Sequence, residues 1–330
     1  MMGETKAFGE PLIPPEATHG ETHALLVQYK GQMLFEAYGS GYATPCGPTS
    51  TYISWSMAKS MTHALVGMLV KDGLVDVAAP APVAEWQSSP RAAITWQDLL
   101  EMRSGLEWVE DYVDADNSHV IDMLFGKGVG DHGLFAAALP LAAPIGTVWN
   151  YSSGTTNILC RCIGDILCRD LVDATAPERA ERFLNFLSTR LFEPLNMTSA
   201  IAKCDDAGNF VGSSYVYATA RDFMKFGELY MNGGAVVVDG ERRQLLPDNW
   251  VNHARTVVAT DEETGNHYGA HWWVWPQCEN SVVATGYEGQ YTVVIPEKEF
   301  ILVRLGKTDT SLRPAVVHQL QQIVLKVTNI

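Results

Sequence analysis

From Met57 to Val70 the chain runs almost entirely apolar, with only Lys59, Ser60, Thr62 and His63 interrupting. A run of that length predicts a buried helix, and Asp72-Gly73 supplies its stop, with glycine free to take the left-handed conformation. Upstream, His23-Ala-Leu-Leu-Val-Gln-Tyr29 and Gln32-Met-Leu-Phe-Glu-Ala-Tyr38 flank Lys30-Gly31, two β-rich runs around a turn, and predict a hairpin. Residues before His23 carry Pro11, Pro14 and Pro15 and read as an extended arm. Thr95, with Asp98 three positions on, has the form of a capping box opening a short helix to Met102. Glu107 to Asn117 reads as an acidic loop. The pattern predicts helices over 118–125, 134–141, 155–171, 177–191 and 219–232, the last opened by Thr219 and Asp222 in a second capping-box arrangement. A turn region and a helix running to Trp250 follow, then a strand over 268–275. Three strands over 281–284, 291–295 and 300–305 form an antiparallel meander, and an amphipathic helix over 315–327 closes the pattern.

Strands therefore cluster at the two ends of the chain and helices lie between them. The expected fold class is α/β (α+β): an antiparallel sheet built from 1–75 and 255–330, and a mostly helical segment over 76–254. A site between two such parts is the default place for chemistry. No internal repeat or low-complexity stretch is present.

Composition narrows the function. Apolar residues make up 47% of the 330, enough for a sizeable core. A formal net charge of −15 disfavours nucleic acid or an anionic membrane as partner. The six cysteines lack paired Cys-x-x-Cys spacing, which argues against a zinc site, and they read as buried free thiols in a reducing compartment. His63, His253, His267 and His271 show no ligand spacing and read as structural; no metal and no organic cofactor is implied. Neither a secretory signal nor a run of membrane-spanning length is visible, so the expected location is cytoplasmic. A homodimer is left open.

The candidate chemistry sits at the start of the first long helix. Ser56 and Lys59, three apart, share one helical face, which puts a hydroxyl beside an amine where unpaired N–H groups gather. A serine becomes a nucleophile when a nearby base takes its proton. Lys59 leads into an apolar helix and has Thr62 and His63, not carboxylates, at i+3 and i+4. A lysine at the mouth of a buried helix without a local partner calls for a role.

Ser56-Met-Ala-Lys59, Asn150-Tyr-Ser-Ser-Gly154 and Gly286-Tyr-Glu-Gly-Gln-Tyr-Thr-Val-Val-Ile-Pro-Glu-Lys298 occur in this order. Leu99-Leu-Glu-Met-Arg-Ser-Gly105, Pro144-Ile-Gly-Thr147 and Ala218-Thr-Ala-Arg-Asp222 stand between them. With this set the chain resembles the class C β-lactamase-like serine hydrolases, a superfamily that includes penicillin-binding proteins, family VIII esterases and aminohexanoate-dimer (nylon-oligomer) hydrolases. Ala58-Lys-Ser60 and Ala64-Leu-Val-Gly67 make the last branch the nearest in appearance.

The resemblance implies a β-lactamase/penicillin-binding-protein-like fold and an acyl-enzyme mechanism. By it, Ser56 is the nucleophile, Lys59 the amine that helps deprotonate it, and Tyr151 the phenol that exchanges a proton with serine and leaving group. Backbone N–H groups of Ser56 and Tyr287 would form the oxyanion hole, with Ala284 the alternative to Tyr287, while Trp55, Tyr112, Ser153 and Gly286 would line the substrate site. Asp114, Asp116 and Asp122 are candidates to meet a substrate amine, although a solvated acidic loop accounts for them as well. The family's Lys-Thr-Gly or His-x-Gly element is replaced by Ala284-Thr-Gly-Tyr287. Loss of that cation points away from β-lactams and toward neutral amides or esters. The expected activity is hydrolysis of a small-molecule amide or ester. A carboxylesterase with weak β-lactam turnover and a silent binding protein on the same fold are the alternatives.

Overall fold

The computed structural model describes residues 13–14, 16–278 and 280–328. Of the expected extended arm, positions 1–12 and 15 lie outside the described residues. The rest of it is ordered differently: α1 (Glu16–His19) is a short helix, and β1 (Glu21–Tyr29) starts two residues before His23. Lys30 and Gly31 both take positive φ, 50° and 72°, the geometry of a tight hairpin turn, and lead into β2 (Gln32–Tyr38).

After β3 (Tyr52–Ile53) comes α2 (Met57–Lys71), the predicted buried helix, closed by Gly73 at φ 72°. All of its residues from Met57 to Leu69 are buried. The short helices α3 (Trp96–Leu100), α4 (His119–Phe125) and α5 (His132–Ala137) follow. The Thr95–Asp98 capping box forms at α3 with both reciprocal bonds. Asp131 caps α5, which begins two residues ahead of the expected start.

Next come α6 (Ser153–Leu167), capped by Ser152, and α7 (Ala176–Leu187). They are followed by β4 (Ile201–Ala202), β5 (Val216–Ala218) and α8 (Ala220–Met231). The second capping box forms only in part. Thr219 accepts from the Asp222 N–H, but the Asp222 carboxylate turns to Ser199, accepting from its N–H at 2.8 Å and its hydroxyl at 2.6 Å.

Two expectations are corrected. The turn region after α8 is a hairpin, β6 (Ala235–Val238) and β7 (Glu241–Gln244), and α9 (Trp250–Arg255) begins rather than ends at Trp250. The single strand over 268–275 is broken in two. After β8 (Ala259–Thr260) come β9 (His267–Tyr268) and β10 (Trp273–Val274), separated by a bend in which His271 holds φ 56°. The chain then runs through β11 (Val282–Gly286), β12 (Gln290–Ile295), β13 (Phe300–Lys307) and α10 (Arg313–Thr328).

The main sheet has eight strands in the order β2-β1-β13-β12-β11-β10-β9-β8, every described pairing antiparallel. Alternation sorts its side chains. Leu25, Val27, Val293 and Leu302 face α10, through Val316, Leu320, Ile323 and Val324. Ala24, Leu26, Val294, Ile301 and Val303 join the larger core that includes α2 and α8. Gly227 of α8 lets that helix sit directly on the sheet: a Cβ there would touch Ile301, Val294 and Thr292 at 3.2–3.3 Å. The expected partition at 76–254 thus assigns to the helical segment one helix that packs on the sheet. All six cysteines are free; four are buried, while Cys46 and Cys204 are only half-buried, unlike the expectation for them. No helix among the described residues is long and apolar enough to cross a membrane.

Candidate active site

Ser56 leads into α2 from a tight turn. Ser54 anchors that turn to the segment before and within β5: its N–H donates to Val216 O at 2.7 Å and its hydroxyl to Ser214 O at 3.1 Å. Trp55 holds φ 45°, a left-handed conformation that costs a non-glycine residue roughly 1–3 kcal/mol and persists only where the surroundings impose it. The strain turns Ser56 out at the head of the helix.

The structure brings Ser56, Lys59 and Tyr151 together. Lys59 is 2% exposed. Its Nζ donates to Ser56 Oγ at 2.9 Å, to Ser153 Oγ at 2.8 Å and to Ser213 O at 3.2 Å. The same ammonium lies 4.8 Å from the centre of the Tyr151 ring. Burial pulls the Lys59 amine down to about 8, and the Glu110 carboxylate opposes that fall. Burial, with Glu110 adding to it, holds the Tyr151 phenol well above its ordinary value; hydrogen bonding with the Ser56 hydroxyl and the Arg313 charge draw it back.

Ser153 is placed differently from its expected substrate contact. It is fully buried, and its hydroxyl accepts from Lys59 and donates to Glu110 Oε1 at 2.5 Å. It therefore links an amine to a carboxylate. Glu110 was not singled out by the sequence, yet it is the acid that reaches the site. It also accepts from Ser153 N at 2.9 Å, from the Tyr112 hydroxyl at 2.7 Å and from the Trp108 indole at 2.5 Å. Trp108, Glu110 and Tyr112 alternate at period two, and this was the available signal: an extended segment aims all three the same way. The acids named from the sequence serve local structure instead. Asp114 accepts from Asp116 N at 3.2 Å, Asp116 lies within that turn, and Asp122 pairs with Lys127 at 3.1 Å.

Around this cluster stands an aromatic wall. Tyr112 stacks on Tyr287 with ring centres 4.8 Å apart, and Trp55 meets Tyr287 edge-on at 5.7 Å. Tyr215, also missed from the sequence, tilts against Trp55 at 6.3 Å. The Trp55 indole N–H is shielded from solvent and has no hydrogen-bond partner. Burial, then the neighbouring Glu110, raises the Tyr112 phenol well above its usual range. Gly286 ends β11 against the serine turn: a Cβ there would lie 2.3 Å from Ser54 O. This close backbone approach sets Tyr287 beside the turn that carries Ser56.

The histidines find partners away from the serine. His63 Nδ1 meets Tyr230 Oη at 2.7 Å and its Nε2 meets His253 Nδ1 at 3.1 Å. His271 contacts Leu100 O and Thr156, and His267 contacts Thr260. Among the described residues no group of three or more His, Cys, Asp or Glu is placed to hold a metal ion.

The sequence profile of the beta-lactamase family matches residues 16–324. A 6-aminohexanoate-dimer hydrolase of Paenarthrobacter ureafaciens is 25% identical over 303 residues, covering 86% of this chain and 72% of the relative. Among solved structures, an octameric penicillin-binding protein homologue from Pyrococcus abyssi superposes with a TM-score of 0.71 at 17% identity, covering 94% of this chain and 74% of that one. A D-stereospecific amidohydrolase from a Streptomyces species gives 0.64 at 16% identity, covering 92% and 95%. These two structures share the β-lactamase/penicillin-binding-protein-like fold, and with the profile spanning nearly the whole described chain, the protein belongs to the beta-lactamase family.

Proposed function

We propose that this chain cleaves a small amide or ester through an acyl-enzyme on Ser56. The observation that carries the reading is the 2.9 Å contact between Ser56 Oγ and a buried Lys59 amine whose pKa is lowered to about 8. At pH 7 such an amine is about 9% neutral, against about 0.03% for an ordinary lysine, so a proton acceptor is present beside the hydroxyl some 300 times more often.

In the forward step Ser56 Oγ attacks the substrate carbonyl carbon and its proton passes to Lys59 Nζ. The carbonyl π electrons move to oxygen, where the N–H groups of Ser56 and Tyr287 are the proposed donors. Collapse of the tetrahedral species breaks the bond to the leaving amine or alcohol, which takes a proton from the Tyr151 phenol. Lys59 returns its proton to Tyr151, restoring the cluster for attack by water on the acyl group. Apparent pKa values then belong to the cluster and not to single residues.

An amide among these substrates is supported by the name of the Paenarthrobacter relative, a 6-aminohexanoate-dimer hydrolase. A fluorophosphonate probe tests the reading. It is expected to label Ser56 in the wild type and to leave Ser56→Ala unlabelled; labelling at another residue, or none, refutes it.

A further inference from the structure

Arg304 stands in β13 at 2% exposure, one of the largest fully buried side chains. A guanidinium so deep is expected to face a carboxylate. Its partners are neutral. Nη1 donates to Glu288 O at 3.3 Å and Gly289 O at 2.7 Å. Nη2 donates to Glu21 O at 3.1 Å, Thr22 Oγ1 at 3.2 Å, Thr308 Oγ1 at 2.7 Å and His19 O at 3.3 Å. The side chain thus fastens three segments: the entry to β1, the turn after Tyr287, and the residue that follows β13.

Two glycines make room for it. A Cβ on Gly289 would lie 2.4 Å from Arg304 Nη1, and one on Gly306 would lie 2.6 Å from Arg304 Cζ. Space cleared on both sides marks the guanidinium as built into the fold. The turn it holds is the one that follows the predicted oxyanion donor. Three successive carbonyls there are all engaged: Tyr287 O by Gln290 Nε2 at 3.1 Å, Glu288 O by Thr308 N at 3.0 Å, and Gly289 O by Arg304. Glu288 is itself held at φ 59°, so the turn is strained and needs such fastening. Gln290 completes the cradle by pairing with the Gly306 backbone at 2.6 and 2.9 Å.

We propose that Arg304 is a positioning residue for catalysis: from behind the sheet it fixes the Tyr287–Gly289 turn so that the Tyr287 N–H is held at the Ser56 oxyanion. This rests on the acyl-enzyme reading above. Lysine cannot replace it, because a single ammonium lacks the fork that spans Gly289 O on one side and Thr22 and Thr308 on the other.

The test uses Arg304→Lys, with p-nitrophenyl acetate as substrate and phenylboronic acid as a probe whose tetrahedral adduct on Ser56 places a boron oxygen in the oxyanion position. The expected result is a kcat lower by about 10- to 100-fold, a KM within about twofold of wild type, and boronate affinity falling in parallel with kcat. Should Arg304→Lys fail to fold by circular dichroism, Thr308→Val removes one guanidinium partner and is expected to show the same split at about 3- to 10-fold, with Thr308→Ser restoring wild-type values. A folded variant with wild-type kcat and boronate affinity overturns the proposal, as does a loss in which boronate affinity is unchanged. Wild-type protein that forms no boronate adduct and takes no fluorophosphonate on Ser56 refutes the acyl-enzyme reading itself, and the role of Arg304 falls with it.

Discussion

Glu110→Gln keeps the shape of the side chain beneath the lysine and removes its charge. In the structure the carboxylate reaches Lys59 through one hydroxyl, Lys59 Nζ to Ser153 Oγ at 2.8 Å and Ser153 Oγ to Glu110 Oε1 at 2.5 Å. Unit charges about 5 Å apart interact by roughly 3 kcal/mol at an effective dielectric near 20. Glu110 is only half-buried, and solvent screening reduces the effect to about 1–2 kcal/mol, or about one pH unit. The sign follows from the cause: Glu110 raises the Lys59 pKa against burial, so removing the charge lowers it from about 8. The acidic limb of kcat/KM for a p-nitrophenyl ester reports the free enzyme. Its midpoint is expected to move down by about one pH unit. The plateau is expected to fall by about 10- to 100-fold, because Ser153, Tyr112 and Trp108 each lose a charged acceptor. A midpoint that stays in place or moves up, in a variant that folds as wild type, refutes the coupling between carboxylate and amine.

Tyr112→Phe tests the phenol beside the site. Its hydrogen is given to Glu110 at 2.7 Å, which leaves the oxygen free to accept from a substrate N–H, a donor that amides have and esters lack. Amide turnover is expected to fall about 10-fold more than ester turnover, and equal losses remove the role. Acid stability follows from the buried histidines. Burial lowers His253 to about 4 and His271 to about 3, and carries His63 well below its ordinary value. Above the unfolded value near 6.5 they contribute no pH dependence; below it the unfolded chain takes up protons that the folded chain refuses. Stability is lost as pH falls from about 6.5 toward the folded values, by up to about 1.4 kcal/mol per pH unit per histidine. Urea midpoints are expected to drop between pH 7.5 and 5, and a flat profile over that range contradicts the assignment.

Much of this was legible in the residue order because local physics and tertiary structure agreed. The helix that opens at Met57 is mostly apolar, and its residues from Met57 to Leu69 are all buried. The Lys30-Gly31 turn needed two positive φ values, and the Thr95–Asp98 box closes on itself. Misreadings came where the deciding partner is distant. Asp222 has the spacing to cap its own helix, but Ser199 claims its carboxylate. β7 carries Glu241, Arg242, Arg243 and Gln244, so no apolar alternation announces it. The strand expected over 268–275 breaks where Gly269 presses against Ala254 O, 2.0 Å from where a Cβ would stand. Glu110 was hidden among loop acids because composition counts charges without showing which one an extended segment turns inward. The Ser56–Lys59 pair was readable from its spacing together with the apolar helix it opens and the absence of a nearby carboxylate; its link through Ser153 to Glu110 crosses 94 and 43 residues of chain and was not.

The pairing of β1 with β13 sets residue 21 against residue 307. At synthesis rates of roughly 5–20 residues per second, the first hairpin leaves the ribosome roughly 15–60 s before its sheet neighbour is made. Over that interval Leu25 and Val27 have β2 beside them but neither β13 nor α10 to cover them, and the open edge of β1 is a template for any extended segment nearby. The architecture that brings both chain ends into one sheet therefore makes biogenesis the vulnerable stage: yield in a heterologous host should respond to translation speed and chaperone supply far more than the finished molecule responds to either.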